Sequence, residues 1–179
     1  MVGCSHFGKI VAVSLDCGKL FWELVLPDRI ESTPAYDEGK HIPEDEFNDI
    51  VIVETDSVLV GCYDHHLYCV GAEEGDLLWK HDFGGMVKTS PLLLDQSLVC
   101  GSYQSCLVKR LITRTGAEVW SRDVEGSVLA TPQLTDDGNI LVATLRGRLY
   151  CLTSESGKDH SIGLNNWKAD EAGPASNFF

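Results

Sequence analysis

The chain has 179 residues, 44% of them hydrophobic and 23% charged, which allows a domain with a real core and excludes a disordered chain. A formal net charge of -13 argues against nucleic acid or an anionic membrane surface as partner, because either phosphate array would repel it. No apolar run approaches the ~18 residues of a spanning helix, the start lacks the pattern of an export signal, and seven scattered cysteines make no disulfide framework, so a reducing, cytoplasmic location is expected.

Taken in chain order, short β-rich segments alternate with turn residues, and they recur. Gly18 is followed four residues later by Trp22, and Pro34 lies twelve further on; Gly75, Trp79 and Pro91 repeat these spacings, as do Gly116, Trp120 and Pro132. Gly3, Gly61 and Gly101 precede the three tryptophans by 19, 18 and 19 residues. A fourth copy begins at Ile140-Leu-Val-Ala-Thr and reaches Gly157, but Ser161 stands where its tryptophan is due. The period is 41 residues from Trp79 to Trp120 and 57 from Trp22 to Trp79, so 16 residues are inserted between the first two copies.

Within the clearest copy the predicted strands are Val58 to Cys62, Leu67 to Gly71, Leu77 to Phe83 and Val87 to Leu94, all rich in β-branched, aromatic or aliphatic residues. Four strands in about 41 residues is the pattern of a propeller blade. The turn glycines supply a positive φ. Each tryptophan is large enough to fill the wedge between neighbouring blades, with an indole N–H that needs a backbone acceptor. The prolines belong where no ladder donor is needed.

The unit Gly-x-x-x-x-x-Leu-Tyr-Cys-Val-x-x-x-x-Gly-x-x-x-Trp, Gly61 to Trp79, resembles the repeat of PQQ-like (quinoprotein dehydrogenase-like) β-propellers, and the likeness covers nearly all of residues 1 to 157. The run Trp22-Glu-Leu-Val-Leu-Pro-Asp-Arg-Ile-Glu-Ser, with Val60-Gly-Cys-Tyr-Asp after it, is similar to the C-terminal propeller of the β-alanine-activating enzymes, the acyl-CoA synthetase family member 4 group. That resemblance implies an adenylate-forming domain and a phosphopantetheine carrier elsewhere. This chain has neither a Gly-rich phosphate loop followed by Pro-Lys nor a carrier-type Gly-Gly-x-Ser site, so no catalytic residue carries over.

The expected fold is therefore all-β: a partial propeller of about three and a half to four PQQ-like four-stranded blades over residues 1–157, not a closed ring. A tail, 158–179, is expected to be disordered. This length reads as a fragment, a truncated isoform or an incomplete gene model. An insertion at about 37–56 carries Asp37, Glu38, Glu44, Asp45, Glu46, Asp49, Glu54 and Asp56 against Lys40 alone; it reads as a solvated loop, or as a docking loop for a basic partner. It lacks the central Gly of a calcium loop.

No catalytic, cofactor or metal residue is assigned. A bound quinone with calcium is not expected, because no two cysteines are adjacent to form the disulfide that family members place over the quinone. Cys62-Tyr-Asp-His-His-Leu-Tyr-Cys69 offers zinc-type donors. Side chains alternate along strands, however, and His65 and His66 sit at a tight turn, so a solvent-facing turn flanked by core cysteines is expected instead. Lys109 and Arg110 replace apolar neighbours in a copy one residue longer, which suggests a bulge turning both charges outward. Ser32-Thr33, Thr89-Ser90 and Ala130-Thr131 are the residues expected to line the channel. The function read from this is a non-catalytic interaction or positioning module, whose partner is another protein or the missing blades and upstream domains of a longer chain. A quinone-dependent dehydrogenase fragment and a WD-like scaffold are the alternatives.

Overall fold

The computed structural model describes residues 1–39 and 55–159, and their regular structure is entirely β. Most of the acidic insertion and the tail from residue 160 lie outside the described residues. Four antiparallel sheets follow one another along the chain. The first holds β1 (Val2–Cys4), β2 (Lys9–Val13) and β3 (Leu20–Val25). The second holds β4 (Ala35–Asp37), β5 (Ser57–Gly61), β6 (His66–Gly71) and β7 (Leu77–Asp82). The third holds β8 (Leu92–Leu93), β9 (Ser97–Gly101), β10 (Leu107–Ile112) and β11 (Glu118–Asp123). The fourth holds β12 (Gln133–Leu134), β13 (Asn139–Ala143) and β14 (Leu149–Thr153). Buried clusters join the first sheet to the second, the second to the third and the third to the fourth, and among the described residues none joins the fourth to the first, so these blades form a partial propeller and not a closed ring.

Period-2 alternation explains the stacking. Val58 and Val60 of β5 pack with Ile10, Ala12 and Trp22 of the first sheet, whereas Leu59 between them packs with Leu98 and Leu111 of the third. On β9, Leu98 and Cys100 face the second sheet, while Val99 joins Ile140, Val142 and Leu152 of the fourth. Every residue of β5 and β9 is buried, because a blade with neighbours on both sides has no solvent face.

The proline-bearing strand belongs to a different blade from the one predicted. Val87 to Leu94 does not close the copy that starts at Val58: only Leu92–Leu93 is strand, and it pairs with Val99 and Leu98 of the next sheet. The same holds for Ala35–Asp37, which pairs with Leu59, Val58 and Ser57, and for Gln133–Leu134 against Leu141 and Ile140. In all three, the residue after the proline lies opposite the middle of the neighbouring strand. The proline itself then falls opposite Val60, Cys100 or Val142, where the ladder alternation points backbone groups away from it and its missing N–H costs nothing.

Register also moves one anchor. Cys4 pairs with Ile10 as Gly61 pairs with Leu67 and Gly101 with Val108, so Cys4, and not Gly3, occupies the glycine position of the first copy. The extra residue of the third copy lies in the turn before Val108 rather than within β10. The bulge at Arg110/Leu111 is matched by bulges at Cys69/Val70 and Ala12/Val13 and is common to the repeat.

Candidate binding surface at the loop end of the blades

Side chains that could carry chemistry are first accounted for by the contacts that hold blades together. Trp22, Trp79 and Trp120 donate their indole N–H to the carbonyls of Ala72, Thr113 and Ser154, each at 2.9 Å and each in the next blade. Their rings lie on Gly75, Gly116 and Gly157, where an added Cβ would come within 2.5, 2.6 and 2.7 Å of the indole. These glycines also have φ of +76°, +67° and +62°, so the residue serves the turn and the close approach together. Gly18 has a comparable φ of +66° with nothing within 4 Å of its Cβ position. His81 and Arg122, two residues after their tryptophans, complete the clasp on the carbonyls of Gly116 (3.0 Å) and Gly157 (2.8 Å).

Lys109 and Arg110 do not point outward as a bulge would have turned them. Adjacent on β10, they emerge on opposite faces and bind the two neighbouring blades. Lys109 Nζ reaches the Asp82 carbonyl at 3.1 Å, His81 Nε2 at 3.2 Å and, within its own blade, Glu118 at 2.9 Å. Arg110 donates to Ser97 Oγ at 2.9 Å and to the Ser154 carbonyl at 2.7 Å. Glu118 is held below the usual carboxylate range, first by the hydrogen bond from Lys109.

The expected channel residues divide in the same way. Ser32, buried, donates its hydroxyl to the Gly61 carbonyl (3.0 Å) and accepts the Gly61 N–H (2.8 Å). Thr89 makes the same pair with Gly101, at 2.8 and 3.1 Å. Both hydroxyls are thus committed to fixing an incoming strand to the next sheet. Ala130 has no hydroxyl at this place, and Thr33 N–H donates to Ser90 Oγ across blades at 2.8 Å.

The cysteine-histidine turn makes no converging site. Cys62 packs between the first and second sheets and Cys69 between the second and third, on opposite faces. Burial pushes both thiols up to about 11, so at neutral pH they are protonated core groups. His65 turns the chain with φ +78°, and His66 Nδ1 contacts the Asp64 carbonyl at 2.8 Å. Among the described residues no group of three His, Cys, Asp or Glu could hold a metal ion.

Two further groupings of side chains lie at the ends of the blades. At the end formed by the inter-blade loops, Lys88 lies between two tyrosines of neighbouring blades, 4.6 Å from the Tyr63 ring centroid and 4.4 Å from that of Tyr103. Arg29 covers Tyr63 at 5.0 Å, and Glu31 is 3.6 Å from Lys88. Lys88 is held above its usual pKa, first by the hydrogen bond with Tyr63, and the same tyrosine heads the causes that lower Glu31. The equivalent loop and turn of the next blade present Leu129 and Leu145, 45% and 59% exposed, so this end passes from a cation–aromatic cluster to an apolar patch. The sequence held a signal for it: Tyr63 and Tyr103 each stand two residues after a repeat glycine.

At the opposite end a cleft of about 380 Å3 is lined by Asp37, Glu38, Asp95, Gln96, Thr113 and Arg114, among others. The acidic insertion leaves the fold beside it. Asp56 closes the stem of that insertion, accepting from the Tyr36 hydroxyl and, at 2.9 Å, from the Gly39 N–H.

The repeat family described as outer membrane protein assembly factor BamB, PQQ_2, matches residues 8–109 and 104–160. The chain belongs to this family. Among solved structures it is similar to BamB from Moraxella catarrhalis, with 17% identity and a TM-score of 0.70 over 90% of this chain and 45% of that one. A computationally designed protein, Ika8, gives 16% identity and 0.69 over 89% and 44%. A europium-containing methanol dehydrogenase gives 11% and 0.69 over 89% and 38%. The chain spans less than half the length of each, and at these identities the likeness establishes a shared PQQ-type propeller fold. No curated protein matches the sequence.

Proposed function

We propose that this PQQ-like propeller segment is a non-catalytic interaction module that holds a protein partner at the loop end of its blades. The observation that carries the reading is the division of labour among its polar side chains. Ser32 and Thr89 are spent on bonds within their own blades and Lys109, Arg110 and the three indoles on bonds between blades, whereas at one end Arg29, Leu129 and Leu145 are exposed beside Lys88, which lies between the buried Tyr63 and the half-buried Tyr103. Tyrosine and arginine, which meet here at Arg29, Tyr63 and Tyr103, are residue types that protein interfaces favour. The partner belongs to a cytoplasmic setting, in keeping with seven unpaired thiols, and the module works without quinone or calcium.

The test is capture on the immobilised chain, comparing wild type with Lys88→Ala and with Leu145→Ser. Loss of the same captured protein in both variants supports the reading; identical capture by all three ends it. Removing residues 40–54 should leave capture unchanged if the loop end, and not the acidic insertion, is the seat.

A finer proposal places the module beside an adenylate-forming domain of the β-alanine-activating type. It rests on the Trp22 to Ser32 run and is abandoned if the purified chain alone consumes ATP in the presence of β-alanine. The fold shared with a methanol dehydrogenase favours a second reading, a fragment of a quinone-dependent enzyme. Dye reduction with added quinone and calcium would support that reading, and its absence would end it.

A further inference from the structure

His81 stands at the seam between the second and third blades, and both of its ring nitrogens are committed to the third. Nδ1 lies 3.0 Å from the Gly116 carbonyl, which can only accept, so Nδ1 carries a proton. Nε2 lies 3.2 Å from Lys109 Nζ, and an ammonium can only donate, so Nε2 offers a lone pair. Together the two partners fix a neutral imidazole in a single tautomer. Lys109 spends its other two protons on the Asp82 carbonyl at 3.1 Å and on Glu118 Oε2 at 2.9 Å, with Nζ 5.5 Å from the Phe83 ring centroid. That ring meets the His81 imidazole edge to face at 5.7 Å. The Asp82 carbonyl and the Phe83 N–H belong to one peptide group, the first of the loop that leads to Lys88, so Lys109 anchors this loop at its root.

We propose that His81 is a proton-operated latch on this seam, closed by the neutral imidazole and opened when Nε2 takes up a proton. A proton there replaces the acceptor by an N–H aimed at an ammonium 3.2 Å away. Glu118 Oε2, 3.5 Å from Nε2, is the carboxylate that both cations approach, and one carboxylate cannot neutralise the two. Glu118 is held below the usual carboxylate range, so it stays charged while histidine, which titrates between about pH 5 and 8, changes state. The other charges nearby are already engaged. Lys80 lies over the Tyr68 ring, and the Asp82 carboxylate accepts the Gly84 N–H at 2.7 Å and is held low by that bond, then by His66, His65 and Lys109. Lys109, on the longer and more flexible stem, therefore gives way, and the Asp82 carbonyl loses its donor. The latch rests on the loop-end reading for its consequence alone, which is that acid loosens the segment carrying Lys88.

The test needs no partner. Long-range 1H–15N spectra of the full chain at about pH 7.5, where histidine is neutral, should show the His81 proton on Nδ1. Amide exchange, corrected for its intrinsic pH dependence, should quicken about tenfold at Phe83 on moving to about pH 5.5, the worth of roughly one hydrogen bond. Smaller changes are expected at Val87 and Tyr103, whose N–H groups bind the Cys62 and Met86 carbonyls. The amides of β13 and β14 in the fourth blade should not follow. His81→Asn keeps a donor for Gly116 but does not titrate, and Lys109→Met removes the ammonium that is displaced; in both, the step at Phe83 should vanish. Four results overturn the inference: a proton on Nε2 at the higher pH, equal exchange at Phe83 at both values, a step that persists in His81→Asn, or an equal step throughout β13 and β14, the mark of general acid unfolding. Tautomer and exchange are read on the wild-type chain, so the outcome does not depend on either variant folding. Partner capture does not enter, so the latch and the loop-end reading can fail separately.

Discussion

The turns at Gly18 and Gly116 share a sequence pattern and a backbone conformation, with φ of +66° and +67°, yet they sit in different surroundings. Gly116 is buried under the Trp79 ring of the preceding blade, whereas Gly18 is exposed, with no described residue within 4 Å of its Cβ position. Among the described residues the first turn asks glycine for its dihedral alone, and the second for the dihedral and for the indole. The repeat signal is thus one pattern with two physical causes. The second operates only between stacked blades, where each sheet buries both faces by using its neighbour.

Breaking the clasp should have the largest effect. Trp79→Ala removes the ring from Gly116 and the N–H from the Thr113 carbonyl, and should cost about 3–5 kcal/mol in denaturant unfolding. An unchanged midpoint would show that the blades do not depend on it. Next comes the glycine pair itself. Gly18→Ala should cost about 1–2 kcal/mol for the left-handed dihedral, while Gly116→Ala adds the clash of its Cβ with Trp79, a further ~1–3 kcal/mol. Equal losses would mean that the stacking contact carries no weight. Combining Gly116→Ala with Trp79→Ala should recover that added part.

The smallest effect is electrostatic. Glu118 has its pKa depressed in the folded chain, chiefly by Lys109, so its contribution is present above the unfolded pKa and is lost as pH falls through the folded one. Acid titration of stability should therefore be shallower in Lys109→Met than in wild type, by less than about 1 kcal/mol because the Glu118 side chain is 38% exposed. Parallel titrations would remove Glu118 from the account.

The blade count and the tryptophans between blades were legible because both recur at fixed spacing, but that each ring lies on the turn glycine of the next blade was not. The partner of the proline strand was not: Val87 to Leu94 follows β7 along the chain, but its hydrogen bonds go to β9. Chain order cannot reveal that. Gly3 misled because glycine is plentiful and the first hairpin places Cys4 in register instead. Lys109 and Arg110 looked like surface charges, since sequence shows alternation along a strand but not which neighbours wait on either face. At the candidate surface, Lys88 was missed because its tyrosines lie on two turns forty residues apart, at positions 63 and 103, which only the stacking of blades brings around one amine.

That the polar groups beside the inner strands fasten the frame, leaving function to the outer loops, is tested most directly at Thr89. Its hydroxyl both donates to and accepts from the Gly101 backbone, so Thr89→Val leaves a buried N–H and C=O without this partner. Residue-resolved amide exchange should show the Gly101 N–H losing protection, with a global loss of about 1–3 kcal/mol and no change in partner capture at Lys88. Unaltered exchange at Gly101, together with lost capture, would contradict the account and make the Thr89 hydroxyl a ligand-binding group.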